Sequence, residues 1–203
     1  SKPHIKGGSP DETAVLIDNL EIYEPFHLDE IDGPFSVINS DLVKDMKMLT
    51  GGFAPKFGDK MSGILKINTF DKLDDDSLKA SVDFMSASAS LHQRINDRLN
   101  VFFSGRRSFN SFIEKASGTK FPTVVYDLWT KADYKLDSRN KLSFNFMMLN
   151  DHIRYSKDST VIRKEFFNSS KLNYYAWGNW SCYVNESRYF TTTLGYQTLN
   201  KHA

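Results

Sequence analysis

Tyr126-Asp127-Leu128-Trp129-Thr130-Lys131-Ala132-Asp133-Tyr134-Lys135-Leu136 decides the fold. Tyr126, Leu128, Thr130, Ala132, Tyr134 and Leu136 fall on one face of an extended chain. Asp127, Trp129, Lys131, Asp133 and Lys135 fall on the other, because successive side chains of a strand alternate. The stretch reads as one unbroken strand with an apolar row and a charged row. Strands of soluble sheets run to about 5–6 residues. A strand crossing a bilayer at a tilt needs about 9–11, and this one has that length.

The same pattern extends in both directions. Asp137-Ser138-Arg139-Asn140 is a tight turn, after which Leu142, Phe144, Phe146 and Met148 oppose Lys141, Ser143 and Asn145. A long connection is expected from there to about Ser170. Leu172, Tyr174, Ala176, Gly178, Trp180, Cys182 and Val184 then oppose Lys171, Asn173, Tyr175, Asn179 and Ser181. Trp177 and Trp180 thus point to opposite faces, Trp180 outward. A turn at Asn185–Arg188 leads to a last strand carrying Phe190, Thr192, Leu194 and Tyr196. Upstream, Leu99, Val101 and Phe103 alternate with Asn100, Phe102 and Ser104, behind a turn at Asn96-Asp97-Arg98. Before that come a strand with Ala87, Ala89 and Leu91 and another with Leu78, Ala80 and Val82. A second long connection spans Arg106 to Pro122, with a helical turn expected near Phe109–Ala116.

Tight turns after every second strand, with long connections between, are the rhythm of an outer-membrane barrel. Bacterial barrels have even strand numbers, and plugged transporters have about 22. The seven strands read here therefore predict an incomplete barrel, an open curved sheet. Leu78–Met85 should lie near one edge and Phe190–Thr198 at the other, so the chain reads as a piece of a longer one.

Composition narrows the function classes. Net charge is +1 with 25% charged residues, so no bulk field points to nucleic acid. Mean hydropathy is −0.46, compatible with a barrel because alternate residues face a polar interior. Runs such as Ala14–Ile17 and Phe146–Leu149 are too short for a membrane helix. Cys182 is the only cysteine and reads as a small apolar residue. His4, His27, His92, His152 and His202 form no metal-ligand motif. Asp74-Asp75-Asp76 lacks the spacing of a calcium loop. No local motif supports catalysis, and no cofactor or metal site is expected: the chain reads as a non-enzyme. Arg106-Arg107 is a candidate contact for an anionic solute or lipopolysaccharide, against the commoner reading of a luminal or rim salt bridge.

Residues 1–70 are different. Ala14-Val15-Leu16-Ile17 reads as a buried strand entering a turn at Asp18-Asn19, with Leu20–Tyr23 as its return. Ser40–Asp45 has a good helix N-cap and predicts a short helix. Met46-Lys47-Met48-Leu49 and Ile64–Asn68 read as strands. Gly51, Gly52, Gly58 and Gly63 mark turns or close packing. Ile17, Val43, Met46, Met48, Leu65 and Ile67 are the expected core. The organisation predicted is an α+β domain over 1–70, a polar linker over 71–77 and antiparallel barrel strands over 78–203.

Two blocks carry a resemblance to a known family. One is Gly7-Gly8-Ser9-Pro10-Asp11-Glu12-Thr13-Ala14-Val15-Leu16-Ile17-Asp18. The other runs Leu42-Val43-Lys44-Asp45-Met46-Lys47-Met48-Leu49, then Gly51-Gly52-Phe53-Ala54-Pro55-Lys56-Phe57-Gly58, then Ser62-Gly63-Ile64-Leu65-Lys66-Ile67. These resemble the plug domain of TonB-dependent outer-membrane receptors. The resemblance implies an α+β plug followed by antiparallel transmembrane β-barrel strands. It implies a receptor in the outer membrane of a Gram-negative bacterium that imports a nutrient, either a metal chelate or an oligosaccharide. The implied partners are outer-membrane lipid, the small solute and the TonB energy-transducing complex, whose contact segment is not in this chain. Tyr23, Phe26 and His27 fall in the plug's outer loop and are the implied ligand contacts. Many family plugs have an arginine where this chain has Thr50, so the latch made by that arginine does not carry over. The rival reading is a soluble β-rich carbohydrate-binding or structural protein.

Overall fold

The computed structural model describes residues 12–28, 35–53, 57, 60, 62–70, 76–83, 86–109, 123–157, 165–185 and 188–202. The chain divides into two compact units, Ser1–Lys72 and Leu73–Ala203.

The first unit contains β1 (Thr13–Ile17), β2 (Leu20–Glu21), β3 (Phe26–His27), β4 (Phe35–Ser36), β5 (Val43–Leu49) and β6 (Gly63–Thr69). Four of them form a sheet in the order β2-β1-β6-β5, while β3 pairs with β4. β1 runs parallel to β6, and β5 antiparallel to it. Ala14, Val15, Leu16 and Ile17 are all buried. That is why β1 is a continuous apolar run: a strand with both faces covered need not alternate. Asp18 and Asn19 have φ of 45° and 72°, the left-handed pair that a two-residue hairpin turn requires. The Asp18 carboxylate clips this turn to the end of β6. It accepts the Thr69 N–H at 2.9 Å and also the Thr69 hydroxyl.

Two expectations for this unit are corrected. It is not α+β: among the described residues no α-helix occurs. Where a helix over Ser40–Asp45 was expected there is a 3-10 turn, Ser40–Leu42, capped by Asn39, whose side chain accepts from the Asp41 N–H at 2.8 Å. One turn of helix repays little of its nucleation cost. Val43, β-branched and extended at φ −74° and ψ 120°, instead opens the strand paired with β6. Met46 and Met48 are not core either. Each is 53% exposed on the edge strand β5. The core comes from the central strands, where Ala14, Leu16 and Ile64 pack together with Phe53 and Phe57 against them. Ile17 and Ile67 are buried as expected, whereas Val43 and Leu65 are half-buried.

Among the described residues the second unit is one antiparallel sheet. Its strands are β7 (Ser77–Val82), β8 (Ser86–Arg94), β9 (Leu99–Phe109), β10 (Thr123–Lys135), β11 (Asn140–Lys157), β12 (Glu165–Asn185) and β13 (Arg188–His202). They pair in chain order, leaving β7 and β13 as the two edges. The turns are fixed by local side-chain acceptors. Asn96 accepts from the N–H groups of Arg98 and Leu99, and Asp137 from those of Arg139 and Asn140.

The connection expected from Met148 to Ser170 is mostly strand. β11 is 18 residues long and β12 is 21, paired in register out to Lys157 opposite Glu165. Alternation weakens past Met148, but backbone pairing continues. The helical turn expected near Phe109–Ala116 lies outside the described residues, apart from Phe109, which ends β9.

Candidate functional site

The seven-stranded sheet is inside out by the standard of a soluble protein. Its buried face is the polar one. Ser104, Ser108, Lys131, Asp133, Ser143, Asn145, Asp151, Lys171, Asn173 and Asn179 are buried there beside Trp129, Met147, Tyr175 and Trp177. The opposite face exposes Leu91, Phe103, Tyr126, Tyr134, Phe144, Phe146, Trp180, Leu194 and Tyr196. Lys and Asp are almost never buried without partners, whereas large apolar side chains normally go inside.

Register explains how the rows form. Phe103, Thr130, Phe146, Ala176 and Tyr196 are successive partners across the exposed face, as are Leu99, Tyr134, Leu142, Trp180 and Thr192. From Tyr126 to Leu136 this apolar band is about 33 Å along the strand. At a tilt of about 40° that is roughly 25 Å in height, the height of a barrel's lipid-facing band. The Arg107 guanidinium lies 5.4 Å from the Tyr126 ring centroid at one margin. At the other margin the Trp180 indole N–H donates to the Asn140 side-chain oxygen at 3.1 Å.

The buried face holds its ions in clusters. The Lys131 and Lys141 ammoniums each lie 3.3 Å from Asp133. Lys131 is 2% exposed, and such a charge needs a paired environment. Asp127 pairs with Arg106 from the facing strand β9, the Arg106 Nε donating at 2.5 Å. Farther along, Asp151, Lys171 and Lys201 are successive partners across β11, β12 and β13. Between these levels sits a belt of Trp129, Met147 and Tyr175, flanked by the row Lys131, Asn145, Trp177. The indole N–H groups of Trp129 and Trp177, and both amide atoms of Asn145, are buried without a hydrogen-bond partner.

Among the residues singled out from sequence, Tyr23 is exposed, Phe26 is half-buried and His27 is buried at 1%. Phe26 and His27 form β3, paired with Phe35 and Ser36. Tyr23 alone of the three is broadly open to solvent. Gly52 has φ of 65° and carries the turn after β5. Gly51 precedes it without a positive φ. Gly63 is not at a turn but opens β6, opposite Thr13. Gly58 lies outside the described residues. Among the described residues no three His, Cys, Asp or Glu side chains gather as metal ligands would. Arg106 and Arg107 separate to opposite faces of β9, one bonded to Asp127 and the other over Tyr126.

Sequence reasoning placed Asp127, Lys131, Asp133 and Lys135 on one face but missed how the ions are grouped. The Lys141–Asp133 contact was legible in the four-residue turn, which fixes Lys135 opposite Lys141. The grouping around Asp151 was not legible, because β11 and β12 pair well past Met148, where the sequence suggests a connection.

No family model matches the chain, and no curated protein matches it in sequence. Among solved structures it is similar to a mutant of the ferric enterobactin receptor PfeA of Pseudomonas aeruginosa, in complex with enterobactin. That match has 13% identity and a TM-score of 0.47, covering 92% of this chain and 41% of that one. It is also similar to the siderophore receptor PirA of Acinetobacter baumannii, at 11% identity and a TM-score of 0.43, covering 95% of this chain and 37% of that one. The chain spans less than half the length of either receptor.

Proposed function

We propose that this chain is part of a TonB-dependent outer-membrane receptor that imports a small solute. Residues 73–203 supply a section of the barrel wall. Residues 1–72 supply the plug, whose described elements are β-strands and one 3-10 turn. The observation that carries the reading is the inverted sheet: apolar side chains exposed in a band about 25 Å high, ions and amides buried behind it. In water such a band would drive aggregation. In lipid it is what a strand must present, with charges kept on the other face. The plug-like blocks at residues 7–18 and 42–67 support the assignment of the first unit.

The mechanism that follows is capture of the solute, a metal chelate or an oligosaccharide, followed by TonB-driven rearrangement of the plug. The polar face of the wall then lines the solute's path. The role is transport rather than catalysis, and the site of action is the outer membrane of a Gram-negative cell.

Nitroxide labels placed singly along 126–136 of the full-length protein in lipid test the wall assignment. Labels at 126, 128, 132, 134 and 136 should be relaxed by dissolved oxygen. Labels at 127, 131, 133 and 135 should be shielded from it. Equal access of a water-soluble relaxant to both rows would overturn the reading.

A further inference from the structure

We infer that the apolar face of the seven-stranded sheet carries a binding site for a phosphorylated lipid of the outer leaflet. Arg107 holds the phosphate, and a recess at Gly105 takes the start of an acyl chain. This rests on the reading of that face as lipid-facing and adds a specific lipid to it. The ladders lay rows of partners across the face, from the row of Arg107 and Tyr126 to the row of Tyr134 and Trp180. Arg107 is the only charged residue in those rows. Its chain neighbour Arg106 lies on the opposite face and is bonded to Asp127. Arg107 is exposed and has no carboxylate partner among the described residues. Its guanidinium rests over the Tyr126 ring, 5.4 Å from the centroid.

A lone cation on a face built for hydrocarbon calls for an anion that the lipid supplies. Arg107 stands two residues from the end of β9, at the end of the sheet away from the tight turns. In outer-membrane barrels the tight turns are periplasmic and the longer loops extracellular, which puts this margin in the outer leaflet. It is the depth of headgroups, where a charge costs little compared with the middle of the band. Stacking on Tyr126 occupies one flat side of the guanidinium and leaves its N–H edge open. That edge matches two phosphate oxygens in a bidentate pair. Room for the chain of the same lipid lies toward the middle of the band. Gly105 is the next residue of β9 on this face, with Ala89 and Leu128 as its partners across the sheet. A Cβ built on Gly105 would meet nothing nearer than the Asp127 backbone oxygen, at 4.0 Å. One row further, Phe103 opposite Leu91 closes the recess. Charge thus selects the headgroup, and the missing side chain beside it gives the first carbons of the chain a place to lie.

The test uses the full-length protein in detergent micelles and native mass spectrometry after incubation with dioleoyl phosphatidic acid or dioleoyl phosphatidylcholine. Phosphatidic acid should be retained. Phosphatidylcholine, whose phosphate carries its own cation, should be retained about tenfold less. Arg107→Gln should weaken phosphatidic acid retention about tenfold, as loss of a charge-assisted bidentate pair would. Lys135→Gln removes the same charge from the opposite face and should change nothing. Gly105→Leu keeps the arginine and fills the recess, where there is space for the added side chain, so it should also weaken retention. Excess inorganic phosphate should not displace the lipid, because it lacks the chain. Equal retention of the two lipids, retention insensitive to Arg107→Gln or to Gly105→Leu, or displacement by inorganic phosphate would overturn the inference. The comparison of lipids on the wild-type protein stands even if a variant fails to fold. A protein that passes the oxygen-access test yet retains neither lipid refutes this site and leaves the wall assignment intact.

Discussion

Thr130→Lys separates a lipid-facing sheet from a water-facing one. Thr130 sits on the exposed face, opposite Phe103 on one neighbour and Phe146 on the other. It lies near the middle of the apolar band between Tyr126 and Leu136. Removing threonine costs little packing there, so the change isolates the added charge. In lipid, a lysine at mid-band costs about 2–4 kcal/mol, falling to about 0–1 near the margins. Two to four kcal/mol is about a 30- to 900-fold change in the folding equilibrium at about 1.36 kcal/mol per tenfold. In water, a surface substitution of this kind stays within about 0.5 kcal/mol. The assay is reversible guanidinium unfolding of the full-length protein in phospholipid vesicles, with Leu136→Lys as the marginal control. Thr130→Lys should lower the unfolding midpoint strongly and Leu136→Lys only slightly. Equal, near-zero effects would refute the assignment of this face to lipid.

Further outcomes follow from single contacts. The Phe144 ring covers Gly178, with ring carbons 3.4 and 3.5 Å from where a Cβ would stand. Gly178→Ala should therefore be tolerated, while Gly178→Val should displace the ring and cost about 1–3 kcal/mol, read from the thermal midpoint. In the first unit, Asp18→Ala removes the acceptor of the Thr69 N–H and hydroxyl. It should destabilise that unit by about 1–3 kcal/mol, with faster hydrogen exchange at Thr69 as the check. Hydrogen bonds from the backbone of Arg139, then the side chain and backbone of Asn140, hold the Asp137 carboxyl below the usual carboxylate range. Its folded value is depressed, so its contribution to the turn is complete above the ordinary aspartate value of about 3.9. That contribution fades as pH falls through the lower folded value. Exchange at the Arg139 and Asn140 amides should rise on acidification through that window in the native protein. In Asp137→Ala it should be fast throughout and lack that step.

The large sheet was legible because alternation with a period of two survives in every strand that needs an apolar face. Tyr126 through Leu136 assigned both faces of β10, and Trp177 and Trp180 fell on opposite sides as their parity required. Turn chemistry was equally local, with Asn96 and Asp137 each closing its own turn. What lay beyond reach was the length of β11 and β12. Their pairing past Met148 is held by backbone hydrogen bonds, and those do not depend on side-chain hydrophobicity. The cluster of Asp151, Lys171 and Lys201 went unseen for the same reason.

The first unit was misread where a local signal competed with a pairing partner far along the chain. Ser40-Asp41-Leu42 does start a turn, but Asn39 caps it and Val43 leaves it. The reason is β6, twenty residues on, whose Gly63–Thr69 offers a full ladder to Val43–Leu49. A single helical turn cannot compete with six paired residues, because helix nucleation fixes several dihedrals for each bond gained. The methionines follow from the same fact. Met46 and Met48 belong to the strand that pairs on one side only, so hydrophobicity alone does not bury them. Ala14 and Ile64 sit on strands with two neighbours each, and they form the core. Sheet order, which no single segment encodes, decides which apolar strand becomes interior.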